Sequence, residues 1–314
     1  MVRRGPGRPG GGRSSGGALV LEREWLPRAA AHEARVDTWL EPHLERRRLG
    51  EKHPVEDFLF DYYHHSPAQL RRWSPGLGTR LDGPEALRRY ADLADWTATA
   101  DGRGVTPDPA RAARHHRRFS DARRLLRATA GRPPAYGCFG LHEWAMVYRL
   151  PADAVRHEQL LLRLGSAGTD AVVDAHPLRC THVDAFRFFT PAAVPHNATA
   201  PTREGQPRDE QPGCLHAGMD LYRWAALLGP FGSGELVADC FAHAREIRAV
   251  DMRASPYDLT GLGYPPIRVE TAEGRAEYVR HQRDFAERGD VLRVRLIDAL
   301  DRLVLLAPDD VPVD

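Results

Sequence analysis

LRCTHVDAFRFFTP, residues 178–191, decides whether this chain is wholly helical or also carries a sheet. Its β-branched and aromatic residues, with DAVVDAH (170–176) ahead of it and Pro191 behind, predict an extended strand. In an extended run side chains alternate between faces, so Cys180, His182, Asp184, Phe186 and Phe188 are expected to share one side. That side is a polar cluster leading into an aromatic wall, the composition of a ligand pocket. The His182-x-Asp184 pair can equally be two buried groups that hydrogen-bond each other, and the residues leave both possibilities open.

Outward from this stretch the pattern is helical. Trp25, Ala29, Val36, Trp39 and Leu40 recur at helical spacing and predict an amphipathic helix over 22–48. HPVEDFLFDYYHH (53–65) places Pro54 in a first helical turn, with Glu56 and Asp57 at its positive end. Further helices are predicted at 84–99, 108–130, 138–149, 217–228, 233–250 and 271–305, and PIRVET (266–271) offers a second strand. The expected fold is mainly α with a small β component (α+β), a single globular domain over 19–314. Residues 1–18, rich in Gly, Arg and Pro, are expected to be a disordered basic tail. The polar segment 196–213 is expected to be a mobile loop beside the site.

Composition excludes several chemistries. The 314 residues carry a formal charge of +1, and Lys52 is the one lysine among 44 basic side chains, which disfavours amine-based covalent catalysis. Cys138, Cys180, Cys214 and Cys240 form no CxxC pair, against a zinc ribbon or a redox dithiol and in keeping with a reduced cytoplasmic protein. No apolar run reaches about 20 residues, so no membrane partner is expected. No glycine-rich loop ends in Lys-Ser/Thr, which removes support for nucleotide hydrolysis. SPGLGTRLDGP (74–84) has the Pro-Gly-x-Gly of a helix-hairpin-helix turn, but Gly83 and Pro84 interrupt the second helix.

Four segments hold candidate chemistry besides 178–191. GLHEWAMVY places His142, Glu143 and Trp144 on a helix, and a Glu beside a Trp is a candidate acid or base. QPGCLHAGMDLYRWA sets His216 and Asp220 one helical turn apart, followed by Tyr222 and Trp224; the spacing suits two metal ligands, without the second His of a zincin motif. Asp239 and His243 stand at i, i+4, and DMRASPYD brings together Asp251, Arg253, Ser255, Tyr257 and Asp258, which suit a recognition loop. Residues 103–132 concentrate arginines, among them Arg114, Arg117, Arg118 and Arg124, and fit a phosphate backbone or a surface helix with acidic neighbours.

GEKHPVEDFLFDYY, LHEWAMVYR, LRCTHVDAFRFFTP, QPGCLHAGMDLYRWA and DMRASPYDL together resemble an actinobacterial family labelled 3-methyladenine DNA glycosylase, over about Glu22 to Leu305. The resemblance implies a monofunctional enzyme that hydrolyses the N-glycosidic bond of an alkylated purine in duplex DNA, with no cofactor and no protein partner. Such an enzyme flips the base into an aromatic pocket, and one carboxylate suffices to stabilise the oxocarbenium-like sugar and orient water. No catalytic residue carries over by motif. From the residues themselves, Asp184, then Glu143, then Asp220 are the candidate carboxylates; His142, Trp144, His182, Phe186, Phe188, His216, Tyr222, Asp251 and Arg253 are candidates for substrate binding. The rival expectation is one divalent transition metal held by ligands among His142, Glu143, His182, Asp184, His216 and Asp220, in an enzyme acting on a small molecule or modified nucleoside. A non-catalytic nucleic-acid-binding protein is a third.

Overall fold

The computed structural model describes residues 17–151 and 160–305. Residues 1–16 of the expected tail lie outside the described residues, and Ala18 already belongs to a strand. The first half alternates short strands and helices: β1 (Ala18–Val20), α1 (Glu22–Leu49), α2 (Phe58–Tyr62), α3 (Pro67–Arg71), β2 (Thr79–Asp82), α4 (Pro84–Tyr90), β3 (Trp96–Ala98) and β4 (Gly104–Pro107). Helices follow: α5 (Pro109–Arg114), α6 (His116–Ala130), α7 (Leu141–Ala145), α8 (Gly165–Ala175), α9 (Val183–Phe186), α10 (Gln206–Asp209), α11 (Leu215–Leu227), α12 (Gly234–Arg253) and α13 (Ala272–Val304). The α+β class is therefore correct, but its sheet lies elsewhere than expected. The strands run in the order β1-β2-β4-β3, with β1 and β2 parallel and the other pairs antiparallel.

Residues 178–191 are not a strand. Leu178 makes a single bridge to Asn197, and Val183–Phe186 closes a helical turn in which the His182 carbonyl accepts from the Ala185 and Phe186 amides. The side-chain amide of Asn197 stands in for a neighbouring strand: its Oδ1 accepts from the Cys180 amide (2.8 Å) and its Nδ2 donates to the Cys180 carbonyl (3.0 Å). One polar side chain thus satisfies the backbone that a ladder would otherwise need, and β propensity yields to tertiary context. DAVVDAH is helical, within α8, and 266–271 carries no strand. The helix expected over 84–99 ends at Tyr90, and Trp96–Ala98 is strand. The helix expected over 138–149 shortens to five residues, and that over 108–130 breaks at His115.

Helices α11, α12 and α13 pack on one another, α6 lies against α13, and α1 crosses α12. Their shared core includes Trp144, Tyr148, Met219, Tyr222, Phe241, Ile247, Tyr278 and Leu296, all at most 1 % exposed. Burying each such side chain contributes about 1.5–3 kcal/mol before entropy is counted. A second cluster, Trp25, Trp73, Leu81, Tyr90, Trp96 and Val105, seals the sheet against α1 and α4. The segment 196–213 is tied down: Gln206, Glu210 and Gln211 are buried, Thr129 Oγ1 donates to Glu210 Oε1 (3.0 Å), and Arg132 donates to the carbonyl of Glu210 (3.1 Å). Among the described residues no helix is long and apolar enough to cross a membrane.

Candidate metal centre and its cavity

Three helix ends converge in the helical core. Phe139 (φ 48°) and Gly140 (φ 73°) are both left-handed, a conformation that costs a phenylalanine energy and is found where surroundings over-determine the backbone. A Cβ on Gly140 would also stand 3.2 Å from Ala254 and from the Tyr278 ring. This turn drives α7 inward, and all five of its residues are buried. His142 comes from α7, His216 from the first turn of α11, and Asp251, 0 % exposed, from the last turn of α12.

One ligand atom from each of His142, His216 and Asp251 lies within 4.8 Å of the other two. The imidazoles of His142 and His216 are nearly perpendicular with centroids 4.5 Å apart. His142 Nε2 and Asp251 Oδ1 are 3.1 Å apart, yet neither makes a hydrogen bond of acceptable geometry. Two buried polar atoms aimed at the same place without satisfying each other call for a third partner, because an unsatisfied buried group costs about 1–3 kcal/mol. Burial would lower the His142 pKa, but the Asp251 charge outweighs it and holds the imidazole well above its ordinary value, so a cation bound there would have to displace this proton. Burial, reinforced by the His142 charge, pushes His216 well below its own, leaving a neutral imidazole fit for coordination. Asp251 stays ionised: burial opposes this, and the charges of His142 and Arg248 overcome it. Arg248 Nη1 sits 3.5 Å from Asp251 Oδ2 and 3.1 Å from Glu143 Oε1, so the guanidinium holds the far oxygen while Oδ1 faces the histidines.

The open side of this cluster is a cavity of ≈ 400 Å³. His142 and His216 form part of its wall together with Cys138, Cys180, Cys214 and Arg179, while Asp251 lies behind them. Burial pushes the Cys180 thiol up to about 11 and Cys214 well above its usual value, so both stay protonated near neutrality. Gly213 lets the chain before α11 press against the opposite wall, since a Cβ there would lie 2.6 Å from the Ala135 carbonyl oxygen.

The other expected site residues are divided among separate arrangements. Asp220 does not join His216 in a chelate despite the i, i+4 spacing. Its Oδ1 accepts from Tyr63 Oη (2.9 Å), and its Oδ2 lies 3.4 Å from His182 Nε2, which in turn is 3.6 Å from Glu210 Oε2. His182 stacks on His216 at 5.3 Å, so this network adjoins the three-residue cluster. Asp184 leaves the shared face that an extended strand would have given it. It is held by Arg203, by Arg223 (3.0 Å) and by Arg187 (3.6 Å). Glu143 is ion-paired with Arg248 rather than set in an apolar slot against Trp144.

Of the expected aromatic wall, Trp144 and Tyr222 fill the interior, whereas Phe186 and Phe188 are half-buried. Trp144 is fully buried, with its indole N–H donating to the Ala254 carbonyl (2.9 Å), and Tyr222 is buried against Tyr63 and Phe241. Phe186 packs on Phe189, and Phe188 lies beneath the Arg187 guanidinium. DMRASPYD contributes Asp251 alone to the cluster: Arg253 turns to the Pro265 carbonyl and Glu277, Ser255 caps Met252, and Tyr257 is buried. Asp239 pairs with Arg35 and Arg295, away from His243. On α6, Phe119, Ala122, Leu125 and Leu126 face the core and the arginines face outward. Arg124 pairs with Asp121, whereas no ion pair among the described residues engages exposed Arg114, Arg117 or Arg118.

Arg248, Glu210, Tyr63 and the wall thiols Cys138 and Cys214 were not among the residues expected at the site. A signal for the wall was present: Cys138 precedes His142 by four residues, Cys180 precedes His182 by two, and Cys214 precedes His216 by two. No family model matches the chain, and neither a curated protein nor a solved structure matches it.

Proposed function

We propose that this chain is a metal-dependent enzyme that acts on a small molecule or modified nucleoside, with one divalent transition metal held by His142, His216 and Asp251. The observation that carries the proposal is the convergence of those three ligand atoms within 4.8 Å beside a cavity. Three protein ligands with a fourth direction open to substrate are the pattern of catalytic rather than structural sites. Mixed imidazole and carboxylate ligands suit zinc, iron or manganese. A metal there would supply Lewis acidity toward a substrate oxygen and make a nearby water more acidic. The chain's own residues do the rest: Arg248 fixes the Asp251 carboxylate, the left-handed turn at Phe139 and Gly140 fixes His142, and the His182 ring backs His216.

Elemental analysis of the purified, metal-equilibrated protein tests this. The expected result is about one metal per chain, lost in His142→Ala and Asp251→Asn variants that remain folded. Wild-type protein that takes up no metal overturns the proposal.

Base excision from alkylated DNA is a second reading, favoured by one observation: Arg114, Arg117 and Arg118 are exposed and engaged by no ion pair among the described residues, which leaves their charges available to phosphates. It predicts release of free 3-methyladenine from methylated duplex DNA. No released base under conditions where the protein binds DNA removes it.

A further inference from the structure

We infer that the cavity beside His142 and His216 selects small molecules bearing an oxyanion, a carboxylate or a phosphate group, and that Arg179 is the residue that reads it. The inference rests on this cavity being the substrate site of the proposed enzyme, and it concerns which molecules enter. Its basis is an inventory of the wall. Among the described residues no carboxylate lines it, and the one formally cationic side chain outside the histidines is Arg179.

The polar side chains of Gln211 and Thr199 in the wall are already engaged. Gln211 Oε1 takes hydrogen bonds from the amides of Ala135 (2.8 Å) and Gly213 (2.7 Å), and its Nε2 donates to the Ala135 carbonyl (3.2 Å). Thr199 Oγ1 donates to the Cys180 carbonyl (3.3 Å). Arg179 adds free N–H donors that accept nothing in return. Arg179 is exposed, and among the described residues it makes no ion pair and no hydrogen bond; the Thr181 hydroxyl also has no partner there. The Arg179 stem passes over Gly137, where a Cβ would come within 3.3 Å of its Cδ, so the glycine leaves room for the guanidinium at the rim. A planar fork of N–H donors at the mouth, with cationic or metal-binding groups at the floor, matches a carboxylate or phosphate. Apart from the imidazoles no aromatic ring lines this cavity among the described residues, so recognition by stacking has no surface here. A volume of ≈ 400 Å³ lies within the range of small-molecule sites.

The cavity's own thiols can report its field. Iodoacetate and iodoacetamide both alkylate a thiolate by the same displacement, in which sulfur bonds to carbon and iodide leaves, but only iodoacetate is an anion. The ratio of their rates at Cys138, Cys180 and Cys214, read by peptide mass spectrometry on the full chain at low salt, therefore measures electrostatic selection independently of thiol reactivity. The expected ratio is about fivefold lower in Arg179→Met than in the wild type, and Arg179→Lys restores it. Inorganic phosphate and acetate, added separately, are each expected to slow labelling if the shared oxyanion is what binds; protection by one alone names the preferred head group. A ratio unchanged by Arg179→Met overturns the inference, as do thiols that resist both reagents in the native chain. Metal content measured on the same samples shows whether the proposed centre stands regardless of that outcome.

Discussion

Replacing Arg248 with methionine should unsettle the site more than any substitution on its surface. Arg248 is 3 % exposed; its guanidinium lies 3.1 Å from Glu143 and 3.5 Å from Asp251, and sits 3.9 Å from the centre of the Phe58 ring. Methionine keeps much of the stem's volume, so the main loss is charge, with a smaller loss from packing on Phe58. Two buried carboxylates would then face each other's field with the His142 ring as the cation left beside them, and breaking a buried pair in this way costs about 3–5 kcal/mol. At roughly 2 °C per kcal/mol for a chain of this length, the melting temperature should fall by about 6–10 °C. Circular dichroism melts at neutral pH measure it. Glu143→Gln in the same background removes one of the stranded charges and should recover part of the loss, a coupling that a double-mutant cycle resolves. A melting temperature within about 2 °C of the wild type, with no recovery from Glu143→Gln, would show that this arginine does not hold the two acids in place.

Three further outcomes follow from the geometry. Burial pushes the Asp57 carboxyl up, but the hydrogen bonds from Arg46, His43 and the His53 amide outweigh it and hold its pKa below the usual range; the stability this gives is present above the unfolded value of about 3.9 and is lost as pH falls through the folded one, so Asp57→Asn should flatten the acid limb of a stability–pH curve measured by urea titration. Under the DNA reading, Arg117→Ala/Arg118→Ala should reduce the salt slope of binding to duplex DNA by about 2 in log–log units, and an unchanged slope means that α6 does not touch phosphates. Asp184→Asn separates the two functional readings: base release falls to background if its carboxylate stabilises the sugar cation, whereas metal content stays at the wild-type level if the centre is His142, His216 and Asp251.

What the sequence revealed and what it hid follow from the range of the forces involved. The long helices were legible because the spacing that buries Trp25, Ala29 and Val36, or Tyr278, Phe285 and Leu292, is local and repeats along the chain. The sheet was not, because β2 lies inside a glycine-rich run whose partners, β1 and β4, are tens of residues distant. The stretch at 178–191 misled for a specific reason: Asn197, six residues beyond its end, supplies the hydrogen bonds of a missing strand, which frees Val183–Phe186 to coil and sends Cys180, His182 and Asp184 in different directions. The i, i+4 pair His216 and Asp220 misled in the opposite sense. Helical spacing put both on the same side of α11, but a turn's separation was enough for Asp220 to meet Tyr63 and His182 while His216 meets His142 and Asp251. Spacing within a segment sets which side chains share a face; which of them shares a ligand is decided by the distant helix that arrives opposite. Asp251 shows this most directly. It lies 35 residues beyond His216 in a stretch that reads as a recognition loop, and it becomes a deeply buried acid because α12 carries it back alongside α11.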